Sequence, residues 1–393
     1  MLRALFFSIF LGLHGYLAAR LVGPLGLDVV PKTLLYGLFA ALALPYPIVF
    51  RLRFRGGAHG PWLDHIMHAL YVQMGLTGML FALVAARDLL WLVALLIDVV
   101  LGALELPPLL PTDPEARRGV LVDSNIVVLV LLVLGSVVGS REARRTPRVK
   151  RVTVPIAHLP RALEGFAIAH LTDLHIGPTI KQAFVRRVVD VVNALQADAV
   201  ALTGDIVDAS LAEARDDAAA LGELRARHGV FYVTGNHEYY HGAEPWVSFL
   251  VAQGLRVLLN EHDVLEHEGA QLVMAGICDF SAGSFVPSHR SDPVKALAAA
   301  PAEAPRVLLA HQPRSGALVE QAGPVSLMLS GHTHGGQMWP WNLFVPLQQP
   351  LLAGLHRAFG TWVYVSRGTG YWGPPFRLGA PSEVALLTLT RAA

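Results

Sequence analysis

Five short apolar runs, all beyond residue 160, each lead directly into a short block that carries residues able to bind a cation. The runs span residues 166–172, 199–203, 230–234, 306–310 and 326–330. They lead into Asp173-Leu174-His175, Gly204-Asp205, Gly235-Asn236-His237-Glu238, His311 and Gly331-His332-Thr333-His334. Brief β-branched stretches ending in Gly, Asp or Asn are the sequence form of strands buried on both faces. Loops at one edge of such a sheet converge on a common point. The chain is therefore expected to fold its ligand-bearing loops into one metal site.

The residue types define the chemistry. Asp173 and His175 flank one residue, so both can turn to the same side where the strand ends. Asp205 follows a glycine, and its two carboxylate oxygens can bridge two cations. Asn236 offers a neutral amide oxygen, and His311, His332 and His334 offer ring nitrogens. A sulfur-free set of carboxylate, amide and imidazole suits Mn, Fe or Zn and argues against a structural zinc knot. Two divalent ions about 3.5–4 Å apart can activate a water and neutralise a phosphoryl group during in-line displacement. Beside them, His237 is placed to protonate a departing oxygen. The lone cysteine, Cys278, permits neither an intrachain disulfide nor a thiolate cluster and reads as a buried small hydrophobe.

The order D-x-H, G-D, G-N-H-E, H, G-H-x-H resembles the signature of the calcineurin-like metallophosphoesterases, over residues 166–389. The resemblance implies an α+β fold, a two-sheet αββα sandwich flanked by helices, and two divalent metal ions. It implies that Asp173, His175, Asp205 and His334 hold one ion. Asp205, Asn236, His311 and His332 would hold the other, with His237 as the catalytic histidine. The longer block Gly331–Gln337 (GHTHGGQ) and the later SRGTG…PPFR of residues 366–377 resemble a membrane-associated branch of that family. That branch includes transmembrane proteins with a metallophosphoesterase domain and a bacterial phosphodiesterase acting on UDP-2,3-diacylglucosamine.

The first 140 residues are different in kind. The chain is 53% hydrophobic and only 16% charged, and the apolar excess is concentrated there. Residues 4–19, 33–50, 65–86, 89–106 and 120–140 are apolar stretches near the ~20 residues a bilayer core requires. An all-α transmembrane region of four or five helices (1–140) is expected, then a basic linker (141–151) and a phosphoesterase domain (152–393). The first stretch reads as an uncleaved anchor rather than a signal peptide. The Arg141, Arg144, Arg145, Arg148, Lys150 and Arg151 cluster places the domain in the cytoplasm. The Arg51, Arg53 and Arg55 loop agrees only if there are four spans. Asp98 is expected to pair with an Arg or His in the bundle, and Glu105 and Asp123 to lie at the interface.

Residues 179–196, 211–228, 244–253 and 293–300 have helical patterns, and 271–277, 361–366 and 383–390 read as further strands. Asp208 reads as a solvated or helix-capping carboxylate. Tyr239, Tyr240, Trp339, Trp341 and Trp372 form either an apolar wall beside the site or ordinary loop packing. Arg367 and Arg377 either grip a phosphate or form salt bridges within their loops. His228, His241, His262, His267, His289 and His356 are assigned to surface or core. The net charge of +1 gives no reason to expect a nucleic-acid partner. The leading function is a multi-pass, membrane-anchored phosphoesterase acting on a phosphate ester, expected to be a diester and lipid- or nucleotide-linked, such as a UDP-glycolipid, with the lipid bilayer as partner. A non-catalytic receptor that retains the metal site, and a transporter with a regulatory phosphoesterase domain, are the alternatives. Oligomeric state is open.

Overall fold

The computed structural model describes residues 2–53 and 61–392, which form two compact units, Met1–Val138 and Gly139–Ala393. The first unit is helical, with α1 (Leu2–Val22), α2 (Val29–Ala43), α3 (Pro45–Arg53) and α4 (Pro61–Ala103). The last helix, α5 (Pro114–Arg144), runs across the boundary into the second unit. Three stretches of the described residues are long and apolar enough to cross a membrane: Val29–Val49, Trp62–Ala103 and Pro114–Arg144.

The apolar stretches 65–86 and 89–106 do not form separate helices. Arg87 and Asp88 sit inside α4, which continues through them. Both are compatible with a helix, and their charges are satisfied laterally. Asp88 accepts from Arg20 Nε at 2.6 Å, Tyr16 at 2.7 Å and Arg87 Nη2 at 2.8 Å. Arg87 also reaches Asn125 on α5. Asp98 pairs with no Arg or His among the described residues. Its carboxylate accepts from the backbone N–H groups of Leu109 (2.5 Å) and Leu110 (3.2 Å), tying down the chain after α4. Arg51 and Arg53 end α3 rather than lying in a loop, and Arg55 is outside the described residues.

The second unit is built on two six-stranded sheets. One contains β1 (Arg148–Ile156), β2 (Ala167–Leu171), β3 (Ala199–Thr203), β4 (Val230–Val233), β5 (Arg256–Val257) and β12 (Glu383–Arg391), in the order β1-β12-β2-β3-β4-β5. The other contains β6 (Glu261–His267), β7 (Ala270–Gly276), β8 (Arg306–Leu309), β9 (Leu327–Ser330), β10 (Gly354–Ala358) and β11 (Thr361–Val365), in the order β10-β11-β9-β8-β7-β6. Within them β2, β3, β4 and β5 run parallel, as do β7, β8, β9 and β11. Every strand that the motif blocks follow thus points its C-terminal end to one edge.

The two-residue period of a strand decides the layering. Ile168, Ala199, Ala201, Phe231 and Val233 face Leu272, Met274, Val307, Leu309 and Leu329 in the core between the sheets. Their neighbours Ala169, Leu171, Val200, Leu202 and Tyr232 face outward under α6 (Gln182–Ala194), α7 (Leu211–Ala218) and α9 (Ala243–Ala252), while α8 (Asn236–His241) packs Tyr239 in a separate cluster with Ala243, Cys278 and Ala282. α6 buries Phe184, Val185, Val188, Val189 and Val192 as a single stripe. The outer face of the second sheet is covered by two one-turn helices, α10 (Pro293–Ala296) and α11 (Gly316–Val319), through Ala296 and Val319. This is the expected αββα sandwich.

Three elements differ from the sequence pattern. Helical structure expected through residue 228 stops as α7 followed by a 3-10 turn at Ala219–Glu223. α10 is likewise shorter than its pattern: it starts at a side-chain cap from Asp292 and gives way after Ala296 to turns closed by Ala298 N–H on Lys295 O and Ala300 N–H on Leu297 O. The basic stretch 141–151 is the end of α5 followed by the first half of β1, an edge strand paired to β12 whose basic residues precede the buried Val154 and Ile156.

Candidate metal centre

The motif loops continue the sheet ladder past the strand ends. Asp173 N–H donates to Gly204 O at 3.1 Å, His175 N–H to Asp205 O at 3.1 Å, and Gly331 N–H to His311 O at 2.9 Å. Along this edge Asp173, His175, Asp205, His332 and His334 all have positive φ, from 50° to 70°. Non-glycine residues rarely adopt that region and hold it only when surrounding structure over-determines it. Here the left-handed turn swings each side chain from the sheet face toward the edge. Gly331 is required for a second reason. A Cβ there would lie 2.1 Å from Thr172 Oγ1 and 2.2 Å from Asp173 Oδ2.

The side chains gather into two adjacent groups. In one, His175 Nε2 lies 3.0 Å from His334 Nε2, and His334 Nε2 lies 3.3 Å from Asp173 Oδ1. In the other, His311 Nε2 is 3.0 Å from Asp205 Oδ2, 3.2 Å from His332 Nδ1 and 3.2 Å from Asn236 Oδ1. Asp205 Oδ2 is also 4.0 Å from His175 Nε2, so one carboxylate stands between the groups. All seven candidate ligands, Asp173, His175, Asp205, Asn236, His311, His332 and His334, are brought to this edge.

The residues present fit a pair of divalent cations. Ligand atoms of Asp173, His175 and His334, and of Asp205, His311 and His332, lie within 4.8 Å of one another in each trio. Burial pushes His175 and His332 down to about 3, which keeps both imidazoles neutral, the form that ligates. Burial would raise Asp205, but His311 and His237 hold it well below the usual carboxylate range. His311 is itself raised to about 10, because Asp205 outweighs its burial. Nitrogen lone pairs facing each other across 3 Å, beside two ionised carboxylates, form a pocket that a cation fills better than a proton.

Backbone donors fix the carboxylates. Asp173 accepts from His332 N–H at 3.0 Å and from the Thr172 hydroxyl at 2.8 Å, and Asp205 accepts from His237 N–H at 2.8 Å. Glu238 is a clamp. Its buried carboxylate accepts from the N–H groups of Gly235 (2.6 Å), Ile206 (2.7 Å) and Asp205 (3.0 Å), locking the loop after β3 to the loop after β4.

His237 lies at the rim of the cluster, its Nε2 4.0 Å from Asp205 Oδ2. Its Nδ1 bonds Asp208 at 2.8 Å, and His241 Nε2 shares the same oxygen at 3.0 Å. Asp208 is thus neither solvated nor a helix cap. Ser210 starts α7, its N–H donating to Glu213 at 3.0 Å. Burial opposes a charge on His237, yet Asp205 and Asp208 outweigh it and raise the group to about 9. Asp208 and His241 thus belong to the site and not to the surface, and Glu238 has a clamping role that the sequence does not announce. The G-D-x-x-D spacing was the available signal for Asp208, since Val207 carries the chain back toward β2 through an isolated bridge to Ile176.

Tyr240 and Trp372 meet the His237 ring edge-on, at 5.1 and 5.7 Å between centroids, and Phe285 lies 5.6 Å from Tyr240. Tyr239 is buried, and its hydroxyl bonds Thr234 and His289. Arg377 grips no open space. It is buried and donates to Gly370 O (2.7 Å), Arg367 O (2.8 Å) and Ala380 O (2.9 Å), beneath His334. Arg367 pairs with Glu383 at 3.4 Å. Both arginines therefore hold the loops together. Of the remaining histidines, His228 and His267 face each other at 2.9 Å, while His262 and His356 bond backbone carbonyls.

Residues 166–336, which carry all seven candidate ligands and His237, match the calcineurin-like phosphoesterase family. The chain belongs to that family. It is 37% identical over 275 residues to a zebrafish (Danio rerio) transmembrane protein with metallophosphoesterase domain, covering 68% of this chain and 63% of that one. The cattle (Bos taurus) protein of the same description is 39% identical, over 68% of this chain and 62% of that one. An uncharacterized metallophosphoesterase of Campylobacter jejuni is 34% identical, over 68% of each chain. The chain thus matches a little under two thirds of the length of its vertebrate relatives. Membership gives the metal-centre geometry its chemical context, phosphoester chemistry.

Proposed function

We propose that this protein is a membrane-anchored, two-metal phosphoester hydrolase. The observation that carries it is the convergence of seven nitrogen and oxygen ligands around Asp205, with His237 held beside them by Asp208. One ion would be held by Asp173, His175, Asp205 and His334, the other by Asp205, Asn236, His311 and His332. Two divalent ions, Mn, Fe or Zn, would supply Lewis-acid activation of water and neutralisation of phosphoryl charge. The protein's own residues do the rest. His237, kept protonated by the Asp208 and Asp205 carboxylates, gives a proton to the departing oxygen or stabilises its charge. Asp208 fixes the ring so that Nε2 faces the cluster. Tyr240, Trp372 and Phe285 wall the His237 side and exclude water from a leaving group lying there.

The apolar wall and the candidate membrane helices favour a diester with an apolar or lipid-linked leaving group, such as a nucleotide-linked glycolipid. The basic residues at the end of α5 favour a cytoplasmic domain. The test is hydrolysis of bis-p-nitrophenyl phosphate and p-nitrophenyl phosphate by the full chain in detergent, after loading with Mn, Fe or Zn. Metal-dependent turnover of the diester at the higher kcat/KM is expected. No metal-dependent turnover of either would overturn the reading.

A further inference from the structure

No Lys, Arg, Asp or Glu occurs between Glu320 and Arg357, in a chain that is 16% charged as a whole. Part of that stretch builds β9 and the His332 and His334 loop. The remainder, after Met338, folds as two 3-10 turns, Trp341–Leu343 and Val345–Leu347, with an outward face that is apolar. Leu347 is 81% exposed, Leu343 64%, Phe344 53% and Trp339 50%. Trp372, on the neighbouring loop, is 47% exposed. Side chains of this size are rarely left together in water without a partner.

This face is not a slack loop. Its start is stitched by Trp339 N–H to Leu378 O at 2.8 Å, and by Gln337 to the backbone of Trp372 and Pro374. Its end is held by Gln349, which accepts from Arg314 N–H at 3.1 Å and donates to Gln312 at 3.2 Å. In the middle, Gly336 backs onto Asn342 so closely that a Cβ would fall 2.3 Å from its Cα. A loop pinned at three points presents its apolar side chains in a fixed array, at the same edge as the metal ligands.

Two further observations say what covers it. The end of α5, the last candidate membrane helix, docks on the adjoining loop. Arg377 N–H donates to Gly139 O at 2.9 Å, and Gly139 closely approaches Phe376. Around that helix end Arg141, Arg144, Arg145 and Arg148 are exposed. Tryptophan, phenylalanine and leucine beside arginines, next to the exit of an apolar helix, is the composition of a bilayer headgroup zone.

We infer that the 339–347 loop, with Trp372, is a membrane-dipping surface that seats the metal site against the lipid interface. The inference goes beyond the proposed reaction and does not depend on the substrate being a lipid. Its test uses the full chain in phosphatidylcholine–phosphatidylglycerol liposomes. Cys278 is buried and is replaced by alanine, and single cysteines are placed at Leu347→Cys, Phe344→Cys and, at the opposite end of the strands, Glu303→Cys. Each is labelled with a nitrobenzoxadiazole fluorophore and challenged with doxyl-labelled lipid and with aqueous iodide. Labels at 344 and 347 should be quenched several-fold more by the doxyl lipid than the label at 303, and less by iodide. Iodide quenching at 347 equal to that at 303 would overturn the inference. So would shielding from both quenchers, which would mean that protein covers the face. Turnover of bis-p-nitrophenyl phosphate, which needs no bilayer, checks that each variant is folded, so failure of the surface and failure of the proposed reaction read out separately.

Discussion

Replacing Asp208 by asparagine isolates what the carboxylate does for His237. The substitution keeps the shape and leaves an amide oxygen able to accept from Nδ1, so the 2.8 Å contact can persist while its charge is lost. His241, 3.0 Å from the same oxygen, can still brace the position. What disappears is the difference between a charged and a neutral hydrogen bond to an imidazolium. Hydrogen bonds to charged groups contribute about 1.5–3 kcal/mol against about 0.5–1.5 kcal/mol for neutral ones, a difference of about 1–1.5 kcal/mol. At ~1.4 kcal/mol per decade, kcat should fall roughly five- to tenfold. The sign of the pH effect follows as well. A group raised to about 9 by two carboxylates is protonated below that value. Removing one carboxylate lowers it, so the alkaline limb of the rate profile should move to lower pH. The assay is a series of aryl phosphodiesters with leaving groups of increasing basicity, measured with metal content in parallel. The loss should grow as the leaving group becomes more basic, because p-nitrophenolate needs little protonation. A uniform loss across the series, or a loss of metal, would refute the assignment and make Asp208 a structural or ligating residue.

Four other outcomes are expected. Asp205→Ala should cost both metals, read by elemental analysis, because its carboxylate stands between the two groups. His237→Ala should slow turnover of a poor leaving group by about 10²–10⁴-fold with metal content retained; wild-type turnover would remove it from the reaction. Glu238→Gln should lower Tm and weaken metal binding. One oxygen of the clamp becomes a donor facing N–H groups, at about 1–3 kcal/mol for each buried group left unsatisfied. In liposomes, a long-chain acylated diester should show a higher kcat/KM than its deacylated counterpart, and equal values would leave a tethered generalist.

The sandwich was legible because two-sided strands announce themselves. Runs such as Ala199–Thr203 and Val230–Val233 are apolar on both faces, and a ligand follows each within three residues. What stayed hidden depends on charge that the fold uses locally. β1 reads as a basic linker because an edge strand tolerates arginine and lysine on its open face. The two apolar stretches of α4 read as separate spans because Arg20 and Tyr16, which satisfy Asp88, are some seventy residues away in sequence. Asp208 reads as solvated for the same reason, its partner His237 belonging to another loop.

The site itself was half legible, and the division has a physical basis. Ligand identity is a matter of side-chain chemistry, which a sequence states outright. Ligand placement here is a matter of backbone conformation. Asp173, His175, Asp205, His332 and His334 all sit in left-handed geometry that single residues disfavour. Each such residue costs on the order of 1–3 kcal/mol and must be held by its surroundings. Those surroundings are the Glu238 clamp, the Asp173 bonds to His332 N–H and the packing of Gly331 against Thr172. Positions that touch no metal therefore maintain the metal geometry, and substitutions there should loosen both ions together rather than either one. That coupling separates a preorganised edge from a collection of independent ligands, because independent ligands would fail one at a time.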